Sequence, residues 1–264
     1  MNLPPERITS RKNPRIQRIK KMLSSSSFRQ SEHAFVIEGV RLVEEALRSG
    51  WGVQELLVSD SLSERGKSLY ESIDFPGCAK FQVPDEVMSD LTDTETPQGI
   101  TAVLIQQELA LPEHLDFLLI LDSIRDPGNV GTILRTASAA GVNAVLIAPE
   151  TADPFSPKVL RAGMGAQLKL PVRQYNWKEL ASFFHKQTSM QTMLADMGDG
   201  TVFWEANCRQ DIALIVSNEA AGPSQAARDL ADGVITIPMP GSCESLNAAI
   251  AASLLIYEVL RQRR

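Results

Sequence analysis

Little in this chain would tie it to a membrane, a metal or an oxidising compartment. No apolar run approaches the ~20 residues that span a bilayer, and no apolar core follows the charges near the N-terminus, so a secretory signal is not expected. Three cysteines (Cys78, Cys208, Cys243) stand far apart and odd in number, and three histidines (His33, His114, His185) are equally scattered. Neither set makes a disulfide framework or a zinc cluster, and unpaired thiols fit a reducing, cytoplasmic location. The chain has no Walker loop, no nucleophile elbow and no HExxH helix, so the chemistries those motifs carry are not expected.

What is present is the composition of a soluble globular protein: 264 residues, 44% hydrophobic and 22% charged, long enough for one large or two ordinary domains. The net charge of −6 hides an asymmetry. Residues 1–30 carry eight basic groups (Arg7, Arg11, Lys12, Arg15, Arg18, Lys20, Lys21, Arg29) against Glu6, a net of +7, which leaves −13 on the remainder. An acidic body with a basic N-terminal arm suits a polyanionic partner. A solvated amphipathic helix would carry the same charges.

Along the chain, apolar runs alternate with helical spacing. Ile16, Ile19, Met22 and Leu23 predict a helix ending at the serine run 24–27. Strands are predicted at 34–39, 53–59, 80–84 and 101–106, separated by helices at 40–49, 63–73 and 85–91, the last with Asp85 as cap, and by a polar loop at 92–100. Four strands alternating with helices make a small α/β domain over 1–106, and 107–114, with Pro112, reads as a linker. From 115 to 264 six further strands are predicted, at 115–124, 144–149, 170–175, 190–196, 211–217 and 234–238, with helices between them. That order implies a mostly parallel, doubly wound sheet.

Three stretches of the second half could carry chemistry. In LDSIRDPGNVGTILRTASAAGV (121–142) a strand ends, Pro127 and Gly128 turn, and Asn129 stands at the mouth of a helix over 130–140 with Arg135 nearly two turns on. Asn129 as a cap and Arg135 as a solvated helix residue would explain this equally. In LIVSNEAAGPS (214–224) a buried strand runs into Asn218 and Glu219, and Gly222 permits a tight turn. IPMPGSCESLNAAIAASLLIYE (237–258) opens with a strand that Pro238 ends. Ser245 then holds the expected cap position of a small-residue helix. Leu246, Ile250, Leu254 and Tyr257 recur at helical spacing, which predicts a buried helix packed on a sheet. Glu244, Ser245 and Asn247 cluster at its mouth, where ligands bind in open α/β sheets. A fourth stretch, LADMGDGT (194–201), imitates a Gly-rich dinucleotide loop, with Glu219 following Asp196 by 23 residues. Only 45 residues follow Glu219, too few for the remaining strands of that fold.

The three stretches, in order and in strand-loop-helix context, resemble the signature motifs of the SpoU (TrmH-type) branch of the SPOUT RNA methyltransferases. ITSRKNPRIQRIKKM (8–22), FVIEGVRLVEEAL (35–47) and TPQGITAVL (96–104) are similar to the substrate-binding domain that often precedes it. The resemblance implies a parallel-sheet catalytic domain with a deep trefoil knot, a homodimer, and transfer of a methyl group from S-adenosylmethionine to a ribose 2′-hydroxyl of structured RNA. By analogy with the family, rRNA of the large subunit fits better than tRNA. It implies that Arg135, Asn129, Glu219, Ser245 and Asn247 form the catalytic set, and that Ser217, Asn218, Gly222, Ile237, Pro238, Met239 and Leu246 hold the cofactor. Arg11, Lys12 and Arg15 would contact RNA phosphates, positioning rather than specifying the substrate. Neither a metal nor a membrane is implied. One departure stands out: the family pattern usually has glycine where this chain has Ser217. Either the loop shifts or the hydroxyl makes a new contact. A non-catalytic RNA-binding protein of the same fold and a base methyltransferase of another SPOUT branch are the alternatives, and the S-L-N of 245–247 favours ribose. Free arginine holds its proton at neutral pH, so phosphate anchoring suits Arg135 better than a general-base role.

Overall fold

Apolar spacing and helix caps account for most of the elements in the first half of the chain. The computed structural model describes residues 6–73, 77–92, 97–242 and 244–264. Residues 1–5 of the basic arm, residues 93–96 of the polar loop and Cys243 therefore lie outside the described residues. Contacts divide the chain into two compact units, residues 1–107 with 155–160, and residues 108–154 with 161–264.

The first unit contains β1 (Glu6–Arg7), α1 (Pro14–Ser24), α2 (Ser26–Glu32), β2 (Ala34–Glu38), α3 (Val40–Arg48), β3 (Val53–Ser59), α4 (Glu64–Ser72), β4 (Ala79–Val83), α5 (Asp85–Ser89) and β5 (Ile100–Ile105). Its sheet runs β1-β4-β3-β5-β2, with β5 antiparallel to both neighbours. It has five strands where four were expected. The extra one, β1, is two residues long and too short to show a period. The apolar stripe of α1 is buried as expected, with Ile16, Ile19 and Met22 in one cluster with Val36, Leu57 and Phe81. α1 ends at Ser24, in the serine run as expected, and the same run starts a second helix, α2, that was not expected: Ser25 Oγ accepts from Phe28 N, and a serine hydroxyl caps a helix start well. One local expectation fails. Asp85 is the first residue of α5 rather than its cap, and Pro84 holds the cap position. The Asp85 carboxylate instead accepts from Ser61 N and Oγ at 3.1 and 2.7 Å, and the hydroxyl bond holds its carboxyl below the usual value.

The remaining elements are β6 (Phe117–Asp122), α6 (Pro127–Ala140), β7 (Ala144–Ile147), α7 (Pro157–Ala162), β8 (Val172–Gln174), α8 (Trp177–His185), β9 (Gln191–Ala195), β10 (Thr201–Val202), β11 (Ile212–Ser217), α9 (Gln225–Leu230), β12 (Gly233–Thr236) and α10 (Ala248–Arg263). The seven strands of the second unit run β10-β12-β9-β11-β6-β7-β8, all parallel. Every residue of β6 and β11 is buried, as central strands covered on both faces require. Strand order reverses between these two strands, the position where open parallel sheets form a ligand crevice at their carboxyl ends. There Asp122 and Ser217 lie opposite each other in register. The short β10, which follows the glycines of the 194–201 stretch, brings the strands to seven instead of six.

Both helices that flank the crevice start elsewhere than expected. α6 begins at Pro127, not at 130: Asp126 Oδ1 accepts from Asn129 N at 2.8 Å and caps it, and proline fits the first helical position. α10 begins at Ala248, capped by Asn247 rather than Ser245, with Asn247 Oδ1 accepting from Ala249 N and Ile250 N at 2.9 and 3.3 Å. The side of α10 facing the protein is also not the expected one. Ala248, Ala249, Ala252, Leu255, Ile256 and Val259 are buried, and the three alanines let the first turns of α10 lie close to its neighbours α6 and β11. Ile250, Leu254 and Tyr257 point outward, 53%, 41% and 51% exposed. Helical spacing shows that a helix has an apolar stripe. Here both sides are apolar, so spacing could not say which one the sheet takes. Among the described residues no helix is long and apolar enough to cross a membrane, and no three His, Cys, Asp or Glu side chains converge as metal ligands.

Candidate active site

At the carboxyl ends of β9, β11 and β12 a cleft of about 640 Å³, open mouth included, is lined by four segments. The end of β9 contributes Ala195, Asp196 and Met197, and β11 with its following loop contributes Val216, Ser217, Asn218, Glu219, Gly222 and Pro223. Ile235, Ile237 and Met239 come from β12 and beyond, and Ser245, Leu246, Ala248 and Ala251 from the approach to α10 and its first turn. Ala248 and Ala251 leave room where larger side chains would fill the space.

The loop after β11 is built by its own polar groups. Asn218 Oδ1 accepts from Ala220 N and Ala221 N at 2.9 and 3.1 Å, and Gly222 N donates back to Asn218 O at 2.9 Å. Gly222 takes φ +67°, a conformation other side chains rarely adopt, so glycine is needed there. Asn218 Nδ2 donates to Ser123 O at 3.3 Å. Ser123 is itself in the left-handed region (φ 56°) directly after β6.

Three hydrogen bonds tie the three sequence stretches into one structure. Ser217 Oγ donates to Asp122 Oδ2 at 3.0 Å, joining the second stretch to the first. Glu219 Oε2 accepts from Ala248 N at 3.0 Å, joining the second to the third. Asn247 Nδ2 donates to Asn129 Oδ1 at 2.9 Å across 118 residues of sequence, joining the third to the first. Residues far apart in the chain thus meet at the mouths of two helices. The residue identities suggest such a meeting, but spacing alone does not predict it.

Of the residues singled out for a cofactor, Ser217, Asn218, Gly222, Ile237, Met239 and Leu246 line the cleft, and Pro238 does not. Of the catalytic set, Glu219 and Ser245 line it, while Asn129 and Asn247 pair beside it. Arg135 stands apart. It is exposed on α6, six residues past Asn129, and among the described residues it makes no ion pair or hydrogen bond. Sequence reasoning missed Asp196 and Met197, which were set aside with the imitation Gly-rich loop. The available signal was that a strand ends there. Asp196 pairs with Arg228 at 2.5 Å and accepts from Met197 N at 2.8 Å, so its charge is already matched. Among the described residues Glu219 has no such cation, which leaves the cleft with a carboxylate suited to a cationic ligand.

In the first unit, Arg15 bonds the buried Glu55 at 2.8 Å and stacks over Phe81 at 4.2 Å. Arg11 reaches Asp90 at 3.5 Å, and Lys12 is exposed with no side-chain partner among the described residues. The thiols Cys78 and Cys208 are free, and burial pushes both up in pKa.

Both halves of the chain are similar to known proteins. Residues 116–257 match the SpoU rRNA Methylase family, and residues 13–102 match the MRM3-like substrate binding domain. The chain is 37% identical to the 23S rRNA (guanosine(2553)-2′-O)-methyltransferase RlmP of Bacillus subtilis, over 96% of this chain and 99% of that enzyme. It is 34% identical to the 23S rRNA (uridine(2479)-2′-O)-methyltransferase of Streptomyces viridochromogenes, over 97% of this chain and 92% of that one. The crystal structure of the SpoU methyltransferase AviRb from Streptomyces viridochromogenes, in complex with the cofactor AdoMet, superposes with a TM-score of 0.87 at 28% identity, covering 96% of this chain and 98% of that chain.

Proposed function

The chain belongs to the SpoU rRNA methylase family, and from that membership we propose that it transfers the methyl group of S-adenosylmethionine to a ribose 2′-hydroxyl of large-subunit rRNA. The observation that carries this reading is the triangle of hydrogen bonds Ser217–Asp122, Glu219–Ala248 N and Asn247–Asn129, which closes the three stretches around one cleft. The cleft fits the cofactor. Its walls are mostly apolar, and Glu219 supplies a negative charge toward a sulfonium.

When bound, S-adenosylmethionine supplies a methyl group already activated by the sulfonium. The protein's part is to hold and orient. Backbone groups near Ser217, Ile237, Met239 and Leu246 would hold the adenosine and methionine portions. Ser245 lines the cleft and Asn129 and Asn247 pair beside it, where the ribose would enter, and Arg135 would anchor the adjoining phosphate. A ribose hydroxyl is a weak nucleophile until its proton begins to leave, so alignment at this edge decides the rate. Of the two outcomes expected at Ser217 the second holds: its hydroxyl makes a new contact, donating to Asp122, so this departure from the family pattern does not argue for a merely RNA-binding protein. The first unit would carry the RNA, with Arg11, Lys12 and Arg15 on its phosphates.

The test is transfer of labelled methyl from S-adenosylmethionine to unmodified large-subunit rRNA and, separately, to tRNA. Label is expected in a 2′-O-methylated nucleotide of the rRNA. Label in a base, or in tRNA alone, would overturn the substrate assignment.

The same reading makes the protein a cytoplasmic homodimer with a knotted C-terminal segment. Support for the dimer is the outward stripe Ile250, Leu254 and Tyr257; an apolar row on a long helix is the kind of face a second copy covers. The close run of the Asn218–Pro223 loop past Ala248 supports the knot. Replacing Ile250 and Tyr257 together by aspartate is expected to convert a two-chain species into a one-chain species on light scattering. A double variant that stays dimeric would place the interface elsewhere.

A further inference from the structure

Asp122 is fully buried at the end of β6, and the chemistry derived above does not use it. Among the described residues no cation pairs with it. Its partners are three neutral donors: Ser123 Oγ on Oδ1 at 3.0 Å, and Ser217 Oγ and Ser224 N, both on Oδ2, at 3.0 and 2.8 Å. A buried carboxylate without a counter-ion is costly to keep, and donors of this kind offset that cost. Their placement shows what the carboxylate does. Ser217 is the residue before the Asn218–Pro223 loop and Ser224 the residue after it, so one oxygen atom joins the two ends of the loop that lines the cleft. A second tie comes from the same corner, where Ser123, held at φ 56° with its hydroxyl on Asp122, turns its carbonyl to Asn218 Nδ2. Strain in a non-glycine residue persists where its surroundings over-determine it.

We propose that Asp122 is a positioning residue for the cofactor loop, and that Ser217 is its adjustable tie. This rests on the reading that the cleft takes S-adenosylmethionine. The carboxylate closes the loop so that Asn218, Glu219 and Gly222 present a ready-made surface to the ligand, and the ordering is complete before binding. With glycine at 217 the Ser224 amide alone would hold the loop to Oδ2. The serine adds a second bond, so in this chain the departure from the family pattern tightens the loop.

The experiment is S-adenosylmethionine affinity by calorimetry, with separate KM values for cofactor and rRNA, on the full chain and three variants. Ser217→Ala is expected to weaken cofactor binding about fivefold and Asp122→Ala about thirtyfold or more, with KM for rRNA unchanged. Asp122→Asn, whose amide oxygen can still accept both donors, is expected to stay within about threefold of wild type. Adding Ser217→Ala to Asp122→Ala should cost nothing further, because the hydroxyl has already lost its acceptor. Wild-type affinity in a folded Asp122→Ala overturns the proposal. So does a parallel fall of cofactor affinity, RNA affinity and melting temperature, which is what a purely structural carboxylate would give. If Asp122→Ala does not fold, Ser217→Ala and Asp122→Asn carry the test, and undiminished cofactor affinity in Ser217→Ala overturns it. A wild-type protein that binds no S-adenosylmethionine overturns the cleft assignment instead, and the proposal with it.

Discussion

Arg135→Ala is expected to lower methyl transfer by about a hundred- to a thousandfold while leaving cofactor affinity and melting temperature unchanged. The reasoning starts from what the side chain does not do. It is exposed on α6, with no hydrogen bond or ion pair among the described residues, so its removal breaks nothing in the fold. It is also outside the set that lines the cleft, so the cofactor should not sense it. Six helical residues carry it about 9 Å along the axis from Asn129 and about a third of a turn around. From there its guanidinium can meet a phosphate on the far side of a ribose placed at Asn129 and Asn247. Single-turnover rates at saturating S-adenosylmethionine, with cofactor binding measured separately, check this. Arg135→Lys separates two roles. A lysine that keeps a tenth or more of the rate means charge at a phosphate suffices. A lysine as poor as alanine means the planar fork is needed, for a two-point contact or for the proton itself.

The second large effect is expected at Asn247, where one side chain serves both stability and the site. Its oxygen caps α10 and its nitrogen donates to Asn129. Asn247→Ala loses both, costing about 1 kcal/mol of stability for the cap and about a hundredfold in rate for the misplaced ribose edge. Asn247→Asp keeps the cap, since a carboxylate accepts from the same amides. It cannot donate to Asn129 Oδ1, and it sets a charge against that oxygen. The expected result is a melting temperature at or above wild type with a rate as low as that of the alanine variant. A rate that follows stability instead, high in the aspartate variant and low in the alanine one, would mean that the Asn129 bond is incidental and only the cap matters.

The parallel sheet was legible because β6 and β11 are continuous apolar runs bounded by polar loops, and such strands belong in the middle of a covered sheet. The cleft residues of the second and third stretches were legible through the family resemblance; the residues themselves showed only that strands ending in a proline or a glycine-containing loop deliver their next residues to the carboxyl ends of the sheet. Three things were not. The outward side of α10 escaped because both sides of that helix are apolar, so periodicity has two solutions. Asp126 and Asn247 were passed over as caps because other residues nearby, Asn129 and Ser245, could have served as well; the choice is made by backbone angles that composition does not fix. The Asp122–Ser217 pair depends on strand register, and no short-range pattern records which residues of two strands 95 positions apart stand opposite each other.

The basic N-terminal segment bears on how tightly the RNA of the proposed reaction would be held. Five of the eight cations in residues 1–30 already face protein carboxylates: Arg7 with Asp60, Arg11 and Lys20 with Asp90, and Arg15 and Arg18 with Glu55. In these pairs the five cations share three carboxylates, so the arm's positive charge is reduced, not cancelled. Nucleic-acid affinity normally gains from counter-ions that leave the phosphates when protein cations arrive. A cation that must first let go of Asp90 or Glu55 exchanges one anion for another, and its charge adds less to that release. Counting the arm's charges therefore overstates how steeply binding should fall with salt, and on the function proposed above substrate choice would rest less on bulk attraction than on the shape of the RNA.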